Sequence, residues 1–574
     1  MASASIGGAV RIQRILVASA WPYVNYVPHL GTTIQLLSTD VAARYYRLKG
    51  EKVLMVSGSD EHGTPTEVAA IKQGLQPKQL TDKNHAKIVE LCERWAISFD
   101  NYTRTESPVH KRFVQELMLK LYKNGYIFTQ ETELPYCEKC KRYLPDRFVE
   151  GRCPYCGYEK ARGDQCEECG RLLDPTTLVE PYCAICRSKP VTRKTKHWFF
   201  DLSRFQEKLE NYIRSNKQLP SNARNFSLNW IKEGLRARTL TRDITWGIPA
   251  PFPEAEGKSI YVWFDAVLGY VSAAIEYYKD KENPEEWREF WFGKDAKTIF
   301  FIGKDNIPFH TIILPALLLG TEEGYNLPWN VSTTEFLQIK EQKLSKSQRV
   351  GIFVDEALEM FPPDYWRFFL ISTRPETKDV NFTWELFREK INADLNDTFG
   401  NFVHRTLTFI NTQFDGQVPK PEKLDEDAEK LLNAVKEKVQ AIAVEIEECR
   451  LQAAANTVIS LSRMGNQYLN EKEPWNLIKQ NREEAAAIFY VAAQIVKALA
   501  IVSAPFIPFT ADEIWRTLNL KGSVHEQRWN EALELLPANH KIGKPKPLFQ
   551  KIKENEEQLE EKLAAIRKKL TEKD

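Results

Sequence analysis

Eight of the ten cysteines stand in four Cys-x-x-Cys pairs: Cys137/Cys140, Cys153/Cys156, Cys166/Cys169 and Cys183/Cys186. Two thiolates separated by two residues span one edge of a tetrahedral zinc site, and eight sulfurs saturate two ions. The nearest pairs, Cys153/Cys156 and Cys166/Cys169, can close one site over the turn GYEKARGDQ, which leaves Cys137/Cys140 and Cys183/Cys186 for an outer, nested one. One or two structural zinc ions are implied, and two are expected. With all four positions taken by sulfur, such ions staple a loop-rich insert and do no catalysis themselves. Cys92 and Cys449 stand alone in helix-like sequence and read as small buried hydrophobes.

A different chemistry is offered by KEQKLSKSQRVG at 340–351, which concentrates lysines and serines before a glycine. A solvated turn would account for it, and so would a mobile loop that holds a polyphosphate, for which the compact lysine ammonium is a suitable point charge. HLGT at 29–32 is the second candidate phosphate binder, placed just ahead of a helix. Each is weak alone. Together, about 300 residues apart and on either side of the apolar unit TIFFIGKDNIPFHTIILPALLLG, they are far more specific. The common nucleotide motifs are missing: there is no G-x-G-x-x-G, and the GKS at 257–259 has Phe252 where a P-loop needs glycine.

These groups need a scaffold. RILVASA reads as a buried parallel strand and WPYVNYVPHLGTT as a turn-rich connection. A helix should follow, because Ile34, Leu37, Val41, Tyr45 and Leu48 recur three or four apart before Gly50 closes it. KVLMVSGSDEHGTP is then a second strand with polar residues at its carboxyl end, where doubly wound sheets bind their ligands. At 574 residues the chain is long enough for three or four domains. Hydrophobic and charged contents of 43% and 27% are those of a globular protein, which excludes a disordered chain. A formal net charge of +1 excludes a global basic field, so any nucleic-acid surface must be local. The amino terminus offers only a short apolar stretch, interrupted by Trp21 and Pro22, so a cytoplasmic chain with no membrane partner is expected.

HLGT and KLSKS resemble the HIGH and KMSKS signatures of class I aminoacyl-tRNA synthetases. PYVNYVPHLG, SGSDEHGTP, LPDRFVEGRCPYCG, GDQCEECG, YVWFDAVLGY, FIGKDNIPFH and NEKEPWNLIKQ narrow the resemblance to the methionyl-tRNA synthetases, closest to their archaeal and eukaryotic branch. The fold implied is α/β: a split Rossmann-type doubly wound catalytic domain with a zinc-knuckle insert, followed by an all-α anticodon-binding bundle. The boundaries expected are 1–125 and 244–330 for the two catalytic halves and 126–243 for the insert. The KMSKS-loop stem-contact region is expected at 331–395, the bundle at 396–540 and a helical tail at 541–574.

The activity implied is formation of methionyl adenylate and pyrophosphate from L-methionine and ATP, with magnesium accompanying ATP, followed by transfer to the 3' end of tRNA(Met). Since a carboxylate is already a nucleophile, rate should come from positioning and from charge neutralisation on the phosphates. By motif match, His29, Gly31, Thr32, Lys343 and Lys346 serve that end and Asp305 the ribose. Thr32 stands where the family's second histidine is usual; its hydroxyl can donate a hydrogen bond but carries no charge. The same matching puts methionine among Tyr23, Trp263, Tyr270 and Phe309, with His310 at the edge and Asp60 on the substrate ammonium.

Beyond about residue 390 the pattern turns helical, as in Leu432, Val435, Val439, Ile442 and Ile446, which marks an amphipathic bundle helix. Here the resemblance assigns Asn401, Arg405 and Trp475 to reading the CAU anticodon, whose unpaired bases can stack on an aromatic face. In the tail, Ile552, Leu559, Leu563, Ile566 and Leu570 recur at helical spacing and predict a helix that docks on the body or forms half of a coiled coil. A monomer is expected. The rival readings are another class I synthetase, a HIGH-type nucleotidylyltransferase, for which the bundle would be idle, and a zinc-ribbon nucleic-acid module, which would leave the βαβ units unused.

Overall fold

The structure, a computed structural model, describes residues 12–163, 166, 168–169, 171, 173–339, 342–343 and 351–572. Lys346, with most of the KLSKS run, lies outside the described residues; Lys343 ends the short strand Gln342–Lys343.

Five parallel strands form the central sheet: β1 (Arg14–Ser19), β2 (Lys52–Ser59), β3 (Asn101–Arg104), β4 (Lys297–Gly303) and β5 (Asn330–Thr334). Their order is β5-β4-β1-β2-β3. β1 and β4 are nearly unbroken apolar runs because helices cover both faces of the sheet. The strand order reverses between β1 and β4, and the crevice outside their carboxyl ends is where such a sheet takes a ligand. α1 (Leu30–Lys49) follows β1 and ends, as its sequence predicts, on Gly50 in the left-handed region at φ 93°.

α1 is buried around most of its circumference, since it packs between the sheet and the helical part of the chain. Its Asp40 carboxylate meets the guanidinium of Arg367, on α2 (Pro363–Ser372), at 2.6 Å. The same guanidinium donates to the carbonyls of Trp95, Pro505 and Phe506, so one buried charge is satisfied from three regions.

An antiparallel hairpin, Ile127–Cys137 against Val191–Phe200, carries the cysteine-rich insert at its far end. The bundle comprises α3 (Asn401–Gln413), α4 (Glu426–Glu447), α5 (Leu451–Lys472) and α6 (Arg482–Ser503). Val435, Val439, Ile442 and Ile446 of α4 are buried, as their spacing predicts. α6 is long and apolar enough to cross a membrane, but 89% of its apolar window is buried inside the protein, and it is the core helix of the bundle.

The tail docks on its own chain. Asn555 caps α7 (Glu556–Thr571) by accepting from the Gln558 amide at 2.9 Å, so the helix starts beyond Ile552, four residues later than the apolar spacing suggests. Leu559 and Leu563 are buried. Arg567, near the end of α7, pairs with Glu356 at 2.8 Å and also donates to the Gly351 carbonyl, where the described chain resumes after the KLSKS run.

Candidate active site

The HLGT tetrapeptide opens α1 at the carboxyl end of β1. His29 is the N-cap: its backbone is extended, and its Nδ1 accepts from the Thr32 amide at 3.3 Å. An accepting Nδ1 puts the proton of a neutral ring on Nε2, the nitrogen able to donate to a phosphate oxygen. The first turn of α1 has no acidic side chain, so nothing opposes an anion at the positive end of the helix dipole. Thr32, half-buried, contributes its amide to the cap.

The other signature is brought to this point by its distal flank. The Leu30 amide donates to the Ile352 carbonyl and the Val354 amide to the Pro28 carbonyl, both at 3.0 Å, and His29 bridges Phe353. The chain leaving the KLSKS run is thus paired backbone to backbone with the HLGT turn, although about 300 residues separate them.

A second group of the expected residues gathers past the carboxyl ends of β1 and β2. Tyr23 and Asp60 extend the β1 and β2 chains as a parallel bridge, with the Asp60 amide on the Pro22 carbonyl at 3.0 Å. Asp60 is 2% exposed, and no donor among the described residues reaches its Oδ1. Burial and the neighbouring Asp265 carboxyl push Asp60 well above the usual carboxylate range. A carboxylate in such a place calls for a cation. The Tyr23 ring meets Trp263 edge-on at 5.8 Å, and Trp263 stacks on Phe309 at 4.0 Å. The three are half-buried and form one aromatic wall.

Tyr270 and His310 are more deeply buried than these three. His310 is buried rather than at an edge: Nδ1 pairs with the Asn306 carbonyl at 2.9 Å and Nε2 with the Tyr270 hydroxyl at 2.7 Å. Burial pulls its pKa down to about 4, so the ring is neutral and Tyr270 is the donor to Nε2.

No motif assigns Trp21 a role, yet it packs against Tyr270 at 6.3 Å and His110 at 5.8 Å. A Cβ on Gly58 or Gly269 would come within 2.7 Å of its indole; those two glycines were the available signal of a large side chain passing close by. Asp305 is exposed just beyond the end of β4. Its Oδ1 and the Gln35 amide of α1 lie 2.7 and 3.3 Å from where a Cβ on Gly303 would stand, so glycine keeps this side of the crevice open.

The eight insert cysteines gather as two tetrads, Cys137/Cys140/Cys183/Cys186 and Cys153/Cys156/Cys166/Cys169, each with its sulfurs within 4.8 Å of one another. This is the nested pairing expected from sequence. Inter-knuckle Sγ–Sγ distances run from 3.4 Å (Cys137–Cys186) to 4.0 Å (Cys153–Cys169), around the roughly 3.8 Å that a tetrahedron of about 2.3 Å Zn–S bonds demands. Amides of Cys140 and Tyr155 point at Cys137 and Cys153 sulfurs, as thiolate ligands require. The residues therefore fit two zinc ions. An Arg142–Glu67 ion pair at 2.6 Å ties the outer tetrad's hairpin to the helix Thr64–Gln73, which follows the DEHG turn.

Far from the sheet, Asn401 is exposed at the start of α3, and Arg405 lies one turn later. Glu473, at φ 41°, stops α5 and lets the short helix Pro474–Leu477 present Trp475. The Arg405 guanidinium covers the Trp475 ring at 4.8 Å. Trp475 is half-buried, neither a core residue nor fully open.

Comparison with known proteins accords with both regions. A family model for class I tRNA synthetases (M) matches residues 15–407, and one for the anticodon binding domain of methionyl tRNA ligase matches 418–568. The methionine–tRNA ligase of Aeropyrum pernix is 52% identical over 542 residues, 94% of this chain and 95% of that protein. That of Ignicoccus hospitalis is 52% identical over 559 residues, covering 97% and 98%. The Mycobacterium tuberculosis methionyl-tRNA synthetase, solved with methionyl-adenylate, shares the fold at a TM-score of 0.79 and 24% identity, covering 94% of this chain and all of that one.

Proposed function

The chain belongs to the methionyl-tRNA synthetases of class I and is a methionine–tRNA ligase, and from that premise we propose which of its residues perform the two steps. Methionine enters with its ammonium on Asp60, its thioether against Tyr23, Trp263 and Phe309, and Tyr270 and His310 fixing the wall. ATP lies across the crevice, its ribose toward Asp305 and its phosphates at the N-terminus of α1, over Gly31. The methionine carboxylate oxygen attacks the α-phosphorus, a P–O bond forms, the bond to the β-phosphate bridging oxygen breaks, and pyrophosphate leaves. His29 Nε2, the Thr32 hydroxyl, Lys343 and Lys346 donate to the phosphate oxygens as charge builds on them. Magnesium bound with ATP neutralises further phosphate charge. In the second step the tRNA 3' hydroxyl displaces AMP from the adenylate.

The observation that carries this assignment is the buried Asp60 carboxyl, with one oxygen lacking a donor, beside an aromatic wall and next to a helix N-terminus built for an anion. Such a site fits an apolar amino acid and a nucleotide together. The two tetrads hold zinc and stiffen the insert, 126–243; the bundle, 396–540, reads the anticodon of tRNA(Met) through Asn401, Arg405 and Trp475. Leu559 and Leu563 of α7 are buried on their own chain, which favours docking over a coiled coil and supports a monomer; the cytoplasm is its place of action. Isotope exchange between ATP and pyrophosphate, run separately with each amino acid, is expected to depend on methionine. Lys346→Ala lowers that exchange more than tenfold; an unchanged rate removes the lysine from the assignment.

A further inference from the structure

Directly behind Asp60 is a cluster of charge that the two steps above do not use. His62 is fully buried, and both ring nitrogens are paired: Nδ1 with Asp265 Oδ2 at 3.0 Å and Nε2 with Glu106 Oε1 at 2.8 Å. A ring that donates from both nitrogens to two carboxylates is an imidazolium. Burial alone would pull His62 down, but Asp265 and Glu106 together push it up to about 9. Other charges are matched around it. Arg104 pairs with Glu61 at 2.7 Å, and Lys111 with Glu106 at 2.6 Å. That leaves Asp60 and Asp265, both buried, with the His62 cation as the positive charge between them.

His62 also stands at a mechanical junction. Its amide faces the Asp60 carboxyl two residues back along the turn, and Asp265 lies in the short helix Val262–Ala266 that carries Trp263. The Trp246 indole donates to the Glu61 carbonyl at 2.5 Å and lies against the imidazole at 5.8 Å, closing the turn from the other side. One side chain therefore links the group assigned to the substrate amine with the helix that supplies its aromatic wall.

We propose that His62 is the positioning residue of the amine subsite: it supplies the buried positive charge that opposes burial and Asp265 in favour of the ionised Asp60 carboxyl, and it locks the Asp60 turn to the Trp263 helix. In its absence Asp60, beside Asp265 in a dry site, holds its proton more tightly, and the neutral acid does not prefer an ammonium. The inference rests on the reading that Asp60 receives the methionine ammonium.

The test compares two probes on the whole enzyme: methioninol, which keeps the ammonium, and 4-(methylthio)butan-1-ol, which lacks it, each measured as a competitive inhibitor of methionine in the exchange assay. Wild-type enzyme should strongly prefer methioninol. In His62→Gln that preference falls at least tenfold, the equivalent of one pK unit at Asp60, while the KM for ATP stays within twofold. A pocket that is merely loosened weakens both probes together and leaves their ratio alone, and an unchanged ratio in folded His62→Gln overturns the proposal. Should that variant fail to fold, Glu106→Gln decides: its side chain is at the solvent end of the network at 12% exposure, and its loss should reduce the preference about threefold, with no reduction counting against the proposal. If wild-type enzyme binds the two probes equally, it is the assignment of Asp60 that fails.

Discussion

The amine pocket and the anticodon face solve opposite recognition problems. At Asp60, ionisable groups are sealed from water and matched nearly one for one, so the site is set for a ligand of one size and one charge. At Arg405 and Trp475, the groups are partly open: the Arg405 guanidinium covers the ring at 4.8 Å and donates to the Asn470 side-chain oxygen at 3.3 Å. A small zwitterion can be enclosed, whereas a tRNA loop must be met at a surface. Selectivity in the first place comes from the penalty for an unpaired buried charge; in the second it comes from stacking area and base edges, which work in contact with solvent.

The largest effect that tests this contrast is at Asp60. Asp60→Asn keeps the shape and removes the charge, and should lower kcat/KM for methionine in the exchange assay by at least about 100-fold, since a charge-assisted bond in a dry site is worth roughly 3 kcal/mol. The same carboxyl gives a pH dependence in the wild-type enzyme. Burial, and then Asp265, raise its pKa above the ordinary value, so it is ionised above that raised value and protonated below it. Methionine capture should therefore weaken on the acid side sooner than an exposed carboxylate would cause, and the acid limb should vanish in Asp60→Asn. An acid limb that survives the substitution belongs to another group.

At the other end, Trp475→Ala should lower aminoacylation of tRNA(Met) by roughly 5- to 150-fold, as loss of one stacked base at about 1–3 kcal/mol implies, with methionine-dependent exchange unchanged. Equal loss of both activities would make Trp475 a packing residue and erase the contrast.

The two regions also differ in how far the sequence disclosed them. The helix opened by HLGT, the strands around it and the pairing of the cysteine knuckles were readable because each is written in local spacing: three and four for α1, two within each knuckle, and a short loop between the nearer pairs. Asp60 was readable as a charge at the end of an apolar strand. The support behind it was not. His62, Glu106, Trp246 and Asp265 come from four segments spread over about 200 residues and meet only because β2, β3 and the helix Val262–Ala266 converge; no periodicity records that meeting. Trp21 was hidden likewise, its fit depending on two glycines distant in sequence. The spacing in α7 leaves two arrangements open for the same reason: an apolar stripe shows that a helix must be covered and says nothing of what covers it.

The smallest effect on activity, and the sharpest on the structural side of the contrast, is expected at Tyr270. Its hydroxyl donates to His310 Nε2 in a fully enclosed place, and the opposite nitrogen is committed to the Asn306 carbonyl, so the ring cannot turn to find another donor. Tyr270→Phe leaves that acceptor buried and unpaired, which destabilises by about 1–3 kcal/mol. Because the mutual contacts of Tyr23, Trp263 and Phe309 do not involve this hydroxyl, the change should raise the KM for methionine by less than about tenfold while lowering the midpoint of denaturant unfolding of the catalytic part. Trp475→Ala, at a half-buried ring, should lower the unfolding midpoint less than Tyr270→Phe does. If instead Tyr270→Phe is silent in unfolding and Trp475→Ala is not, rigidity resides in the bundle surface and the enclosed pocket is the adaptable one.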